Sequence, residues 1–164
     1  MFQLEVMLPL LILAFLGTPA ILAQSYHGNE IGKHSCISAP EGKNVTAIRI
    51  FIRSNVIVRI QLKFGEEWGK EYGAPGGREL EFKLNDDEKV MGIYTTSSTF
   101  VNQIIFITDQ PREVMAGSFR GRDSHSSYPE KPTYMFRGVC VYYGPGGIRG
   151  IKFLWGTENS SCSW

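Results

Sequence analysis

Apolar residues recur at every second position along most of this chain, and no stretch holds a helical period beyond about two turns. From Val45 to Ile52, residues Ile48, Ile50 and Ile52 share one face, opposite Arg49 and Phe51. From Val56 to Phe64, residues Val56, Val58, Ile60, Leu62 and Phe64 oppose Ile57, Arg59, Gln61 and Lys63. Strands are likewise expected over Glu79 to Leu84, Lys89 to Thr95, Phe100 to Thr108, Arg112 to Ala116, Met135 to Tyr143 and Ile148 to Trp155. Gly65, Gly73 to Gly77, Asn85 to Asp87, Asp109 to Pro111 and Gly117 to Asp123 punctuate them, and Ser124 to Pro132 reads as an exposed polar loop. Short strands at about ten-residue spacing indicate an all-β sandwich or barrel-like fold. The runs Val56–Gly73 and Phe100–Gly117 echo each other, as repeated four-stranded units would.

Residues 1–23 stand outside this pattern. Leu8 to Phe15 is apolar, Gly17 and Pro19 interrupt it, and Ala20 and Ala23 suit cleavage, which reads as a signal peptide. A membrane anchor is the alternative, but the run falls short of the about 20 residues that a span needs. The remaining chain, 24–164, suits one domain. Losing Glu5 leaves 17 basic against 15 acidic side chains, a net of +2. Such a balance gives no general attraction to nucleic acid.

Cys36, Cys140 and Cys162 would then sit in an oxidising compartment, where three thiols allow one intrachain bridge and one spare. Their spacing matches no zinc pattern. Asn44-Val45-Thr46 and Asn159-Ser160-Ser161 are acceptor sequons, consistent with a secreted glycoprotein.

Catalysis finds little support. His27, His34 and His125 lie in polar, loop-like settings without a motif partner, and Asn85 to Glu88 lacks the alternating oxygens of a calcium loop. Glu66/Glu67 and Glu79/Glu81 carry no sign of the cleft or raised pKa values that glycoside hydrolysis requires. Neither a metal nor a cofactor is implied. Arg49, Arg53, Arg59 and Lys63 could form a patch for sulfated glycan, phosphate or acidic protein, or serve as ordinary solubilising charges.

The turn Gly144 to Gly147, between two strands, is nearly free of side chains, so a ligand can meet bare backbone there. Around it, Trp155 shares a face with Ile151 and Phe153 and reads as core. Tyr142 and Tyr143 read equally as ligand contacts and as buried tyrosines.

Taken in order, IRIFIRSNVIVRIQLKF (Ile48–Phe64), Trp68, the Gly73–Gly77 turn, IIFITDQPREVMAG (Ile104–Gly117) and GGIRGIKFLW (Gly146–Trp155) resemble the jacalin-related lectins of the mammalian zymogen-granule and salivary type. The resemblance implies a β-prism I of three four-stranded Greek-key sheets, with metal-free sugar binding at one end. It implies three site loops. The first is glycine-rich and corresponds to Gly28–Lys33, with Gly28, Gly32 and Lys33. The second is a recognition loop, Asp109–Arg112. The third has the form Gly-x-x-x-Asp and corresponds to Gly146, Gly147, Ile148, Arg149 and Gly150, with Tyr143 beside it. Gly150 stands where the family has its aspartate, and Glu30 and Ile31 crowd the first loop.

The resemblance thus implies a non-enzymatic, secreted lectin-like protein of exocrine (salivary) secretions, held in secretory granules before release. Its partners would be glycans on mucins, proteoglycans or microbial surfaces, with acidic or sulfated glycans replacing neutral sugar. A protein ligand or granule-packaging component without sugar binding is the alternative. Within this frame Cys36 and Cys140 lie at similar depth below the binding end and pair, and Cys162 is left free to link two chains.

Overall fold

A computed structural model describes residues 24–160. Residues 1–23, with the expected signal peptide, and Cys162 lie outside the described residues. The described chain is all-β, and its thirteen strands form three sheets.

The first sheet has the order β1-β13-β12-β2, with β1 His27–Gly28, β2 Lys33–Ser38, β12 Met135–Gly144 and β13 Gly147–Gly156. The second is β5-β4-β3-β7, from β3 Val45–Arg53, β4 Val56–Phe64, β5 Glu67–Trp68 and β7 Arg78–Lys83. There β6, Tyr72–Gly73, also pairs with β4, so two short strands share one edge. The third is β10-β9-β8-β11, from β8 Val90–Ser97, β9 Val101–Thr108, β10 Glu113–Gly117 and β11 Asp123–Ser127. The expected prism is present, with five strands rather than four in the second sheet.

Each sheet turns one face inward. Ile48, Ile60, Leu62, Ile93, Ile104, Phe106, Val139, Ile148, Ile151 and Phe153 come from all three sheets and meet in one buried cluster. Burying an aliphatic or aromatic side chain of this kind stabilises by about 1.5–3 kcal/mol relative to exposure.

Strict alternation fails in β4. Between Phe51 and Ile52 the β3–β4 register shifts: Arg59 opposes Phe51 and Ile57 opposes Ile52, which leaves Val58 as an extra residue. An extra residue reverses the facing of what precedes it. Ile57 therefore enters the main core, while Val56 and Val58 join Phe51 and Ala74 in a small outer cluster.

The stretch expected to be a loop from Ser124 begins instead as β11. Asp-Ser-His-Ser-Ser has little strand propensity, but Asp123 to Ser127 pair residue by residue with Ser97 to Ile93. The ladder with β8 overrides local preference.

Cys140 lies directly opposite Cys36 on β12 and β2, and the two form a disulfide.

Candidate functional site

The hairpin that joins β12 to β13 marks one end of the prism. Tyr143 pairs with Ile148 and Gly144 with Gly147, leaving Pro145-Gly146 as the tip, of which Pro145 is exposed. Gly147 needs its φ of 134° and packs against Val56, so a side chain is excluded there. The turn is locked to the second sheet, where Arg53 donates to the Pro145 carbonyl at 3.4 Å.

The first loop does meet this turn. β1 pairs with β13, Gly28 opposite Gly150, and the Asn29 amide donates to the Arg149 carbonyl at 2.8 Å. Gly32 lies against the Tyr143 carbonyl so closely that an added Cβ would stand 2.3 Å from its oxygen. Lys33 pairs with Tyr143, and Glu30 and Ile31 are exposed. Gly28, Gly32, Lys33, Tyr143, Gly146, Gly147, Arg149 and Gly150 are thus brought together. Ile148 belongs to the same segment but is fully buried, so its side chain is core and not a ligand contact.

Asp109 and Arg112 are not at this end. β9 runs from Val101, beside the turn, to Thr108, and at about 3.3 Å per residue its length carries Asp109 some 25 Å away. At the far end Asp109 accepts from the Lys89 amide at 2.8 Å. Arg112 grips Glu88 through both ends of its guanidinium, Nε to Oε2 at 3.0 Å. Glu88 was expected in a solvated turn, yet its side chain is fully buried. Burial alone would raise its pKa. Hydrogen bonds from Thr108, Arg112 and the Asn85 amide, with the Arg112 charge, outweigh this and hold it below the usual carboxylate range. The segment contributing to the glycine end is instead the β8–β9 turn, Ser98–Phe100. Asn29 Nδ2 donates to the Thr99 carbonyl at 3.2 Å, and the Phe100 ring presses on Gly146, where a Cβ would be 2.6 Å from Cζ. Phe100 opens an apolar strand run, and nothing in its immediate sequence marks it as a site residue.

Position 150 is not a vacancy left by a missing acid. A Cβ there would stand 2.7 Å from the Asn29 carbonyl oxygen, so the backbone of the first loop occupies the space. The side chain at this point of β13 is Arg149. Its guanidinium carbon lies 5.6 Å from the Phe100 ring centroid and borders Gly144. Its Nε is buried without a hydrogen-bond partner among the described residues.

The other basic residues are largely spoken for. Arg49 pairs with Glu79 and Glu81 at 3.2 and 3.0 Å and stacks on Trp68. Arg59 pairs with Glu71 at 3.1 Å, and Lys63 lies 3.9 Å from Glu66. The outer face of the second sheet is an ion-paired surface, not a free anion patch.

On the outer face of the first sheet, Tyr26, His34 and Tyr142 cluster, with ring centroids 4.7–5.8 Å apart and Lys152 over Tyr26. Burial, with lesser contributions from Tyr142 and Glu30, pushes the Tyr26 hydroxyl up to about 12. The His34, Cys36 and Cys140 ligand atoms lie within 4.8 Å of one another, but the sulfurs are bonded together and offer no thiolate to a metal. The sequons Asn44 and Asn159 are both exposed at the far end. No described helix is long and apolar enough to cross a membrane.

Comparison with known proteins agrees with this architecture. The Jacalin-like lectin domain model matches residues 25–144, and β13 continues the same sheet to Gly156. Prostatic spermine-binding protein of Mus musculus is 31% identical over 158 residues, 94% of this chain and 78% of its own. The chain spans 53% of the Rattus norvegicus counterpart. Zymogen granule membrane protein 16 of Rattus norvegicus is 28% identical, covering 86% of each chain. Among solved structures, a prostate-specific WGA16 glycoprotein lectin is 31% identical with a TM-score of 0.74, over 80% of this chain and 95% of that one. With three sheets around one core and the family match over most of its length, the chain belongs to the jacalin-like lectin family.

Proposed function

We propose that this chain is a secreted, non-enzymatic glycan-binding protein, stored in secretory granules, whose glycine-turn end takes acidic glycans rather than neutral mannose or galactose. One observation carries the reading: the Arg149 guanidinium stands at the turn with no carboxylate partner among the described residues. The terminal guanidinium nitrogens of Arg149 make no hydrogen bond among the described residues and are not among its buried atoms, so an incoming sulfate or carboxylate can gain a charge-assisted bond worth about 1.5–3 kcal/mol there. Phe100 beside it offers a ring face to a sugar. Mucin and proteoglycan chains carry such anions. The relatives named for zymogen granules support the storage compartment.

A glycan array tests this. Sulfated and sialylated probes should be retained, and Arg149→Gln should lose them. A strong neutral-mannose signal abolished by substitution at Gly147 or Gly150 would overturn the reading.

Spermine, in the name of two relatives, is a cation and does not suit this positive end. A second reading places a polycation in the far-end cavity of about 380 Å³, where Glu66, Asp86 and Asp87 outnumber Lys83 and Lys89 beside Leu84 and Phe136. Salt-sensitive spermine binding lost in Asp86→Asn would favour it. Retention by a protein partner, indifferent to sugars, would favour a granule-packaging role. Cys162 then offers a chain-to-chain bridge, visible as a dimer on a non-reducing gel.

A further inference from the structure

His27 and His125 were expected in polar, loop-like settings without a partner, yet they face each other at the joint between the first and third sheets. His27 belongs to β1 and is buried. His125 belongs to β11 and is half-buried. Their rings stack at 5.2 Å with planes 11° apart. The His27 Nε2 lies 3.0 Å from the Ser97 hydroxyl of β8.

What this joint holds is a weak strand. β1 is 2 residues long, and its ladder with β13 consists of His27 opposite Ile151 and Gly28 opposite Gly150. Beyond it come the Asn29 bonds to Arg149, Ser98 and Thr99, which fix the first loop over the glycine turn. So short a ladder contributes little by itself, and the packing of His27 anchors it.

We infer that the His27–His125 stack is a proton-operated latch: with both imidazoles charged, β1 leaves β13 and the loop Gly28–Lys33 opens, releasing what the glycine end holds. That the glycine end holds a glycan rests on the reading above. The latch itself does not.

The surrounding groups set its behaviour. β11 presents His125 and Asp123, β8 presents the neutral Ser97 hydroxyl, and β13 presents Ile151. Lys152 of β13 lies on the opposite face, over Tyr26. Ser97 can serve as donor or acceptor, so it tolerates either form of His27. Asp123 can offset one imidazolium but not two. The first proton is therefore accommodated and the second leaves two like charges stacked face to face. Burial, then the neighbouring His125, holds His27 below its ordinary value of 6.5, against the opposing pull of Asp123. The pair stays closed while it carries no charge or one, and acid that charges both rings opens it.

Backbone amide hydrogen exchange, corrected for the intrinsic rate, tests the latch on the intact protein at about pH 7.5 and about pH 5, either side of an ordinary histidine. In the wild type, protection of residues 27–33 should fall by about tenfold or more at the lower pH while β3 and β4 hold theirs. His125→Gln should keep protection within about twofold across the same range, and His27→Gln gives an independent second variant. Unchanged protection of residues 27–33 in the wild type would overturn the latch. So would an equal loss in wild type and His125→Gln. The measurement contains no glycan, so it judges the latch whether or not the glycan reading survives.

Discussion

Two arginines at opposite ends of the prism lie over phenylalanine rings, and they differ in what else surrounds them. Arg112 sits 4.7 Å from the Phe82 centroid, is bound by buried Glu88 and donates to the Lys83 carbonyl at 2.9 Å. Among the described residues Arg149 sits over Phe100 with no such carboxylate, and its Nε is unpaired. Ring contact alone therefore says nothing about role. The arginine whose charge the fold has already satisfied is structural, and the proposed glycan reading rests on the one left unsatisfied.

The sharpest way to break this contrast is to truncate each arginine and measure urea unfolding. Arg112→Ala leaves the buried Glu88 carboxylate without its charge partner and should cost about 3 kcal/mol. Glu88→Gln should cost less, about 1–2 kcal/mol, since the partly exposed Arg112 can turn to water. Next comes Gly150→Asp, where the new Cβ must displace the Asn29 backbone. A loss of about 1–3 kcal/mol is expected, without any gain of neutral-sugar retention. If Gly150→Asp instead folds undisturbed and binds mannose, the space at residue 150 is a true vacancy. Arg149→Gln removes a buried unpaired donor and should be the mildest, between neutral and about 1 kcal/mol stabilising.

Acid sharpens the same comparison. Glu88 and His27 both have folded-state pKa values below their ordinary ones. The stability each contributes is therefore present above the ordinary value and lost as the pH falls toward the folded one. Melting temperature should decline first below about pH 6.5, a slope that His27→Gln flattens, and again below about pH 4.5, a slope that Glu88→Gln flattens. A single decline insensitive to both variants would remove these groups from the account.

Much of the fold was legible because period-two runs such as Val56–Phe64 are long and bounded by glycine or asparagine. The bulge at Val58 was not, since it depends on which residue of β3 faces which of β4. The polar strand β11 was invisible for a similar reason, because its warrant is its neighbour β8 and not its own side chains. In the site, the joining of Gly28–Lys33 with the glycine turn was legible through the resemblance. Asp109 and Arg112 were misplaced because a turn motif does not say which end of the molecule its strand has reached. Phe100 was missed for the converse reason, and the burial of His27 and Glu88 followed from tertiary partners that polar surroundings in sequence conceal. The Cys36–Cys140 bridge came through, since facing strands convert depth along the chain into proximity.

The central claim is that the free charge at the glycine end, and not the tied one at the far end, takes the anionic glycan. Calorimetric titration of a sulfated heparin oligosaccharide into wild type, Arg149→Gln and Arg112→Lys addresses it directly. A charge-assisted bond worth about 1.5–3 kcal/mol predicts affinity about ten- to a hundredfold lower in Arg149→Gln and little changed in Arg112→Lys. Equal affinity in wild type and Arg149→Gln, or loss confined to Arg112→Lys, would contradict it.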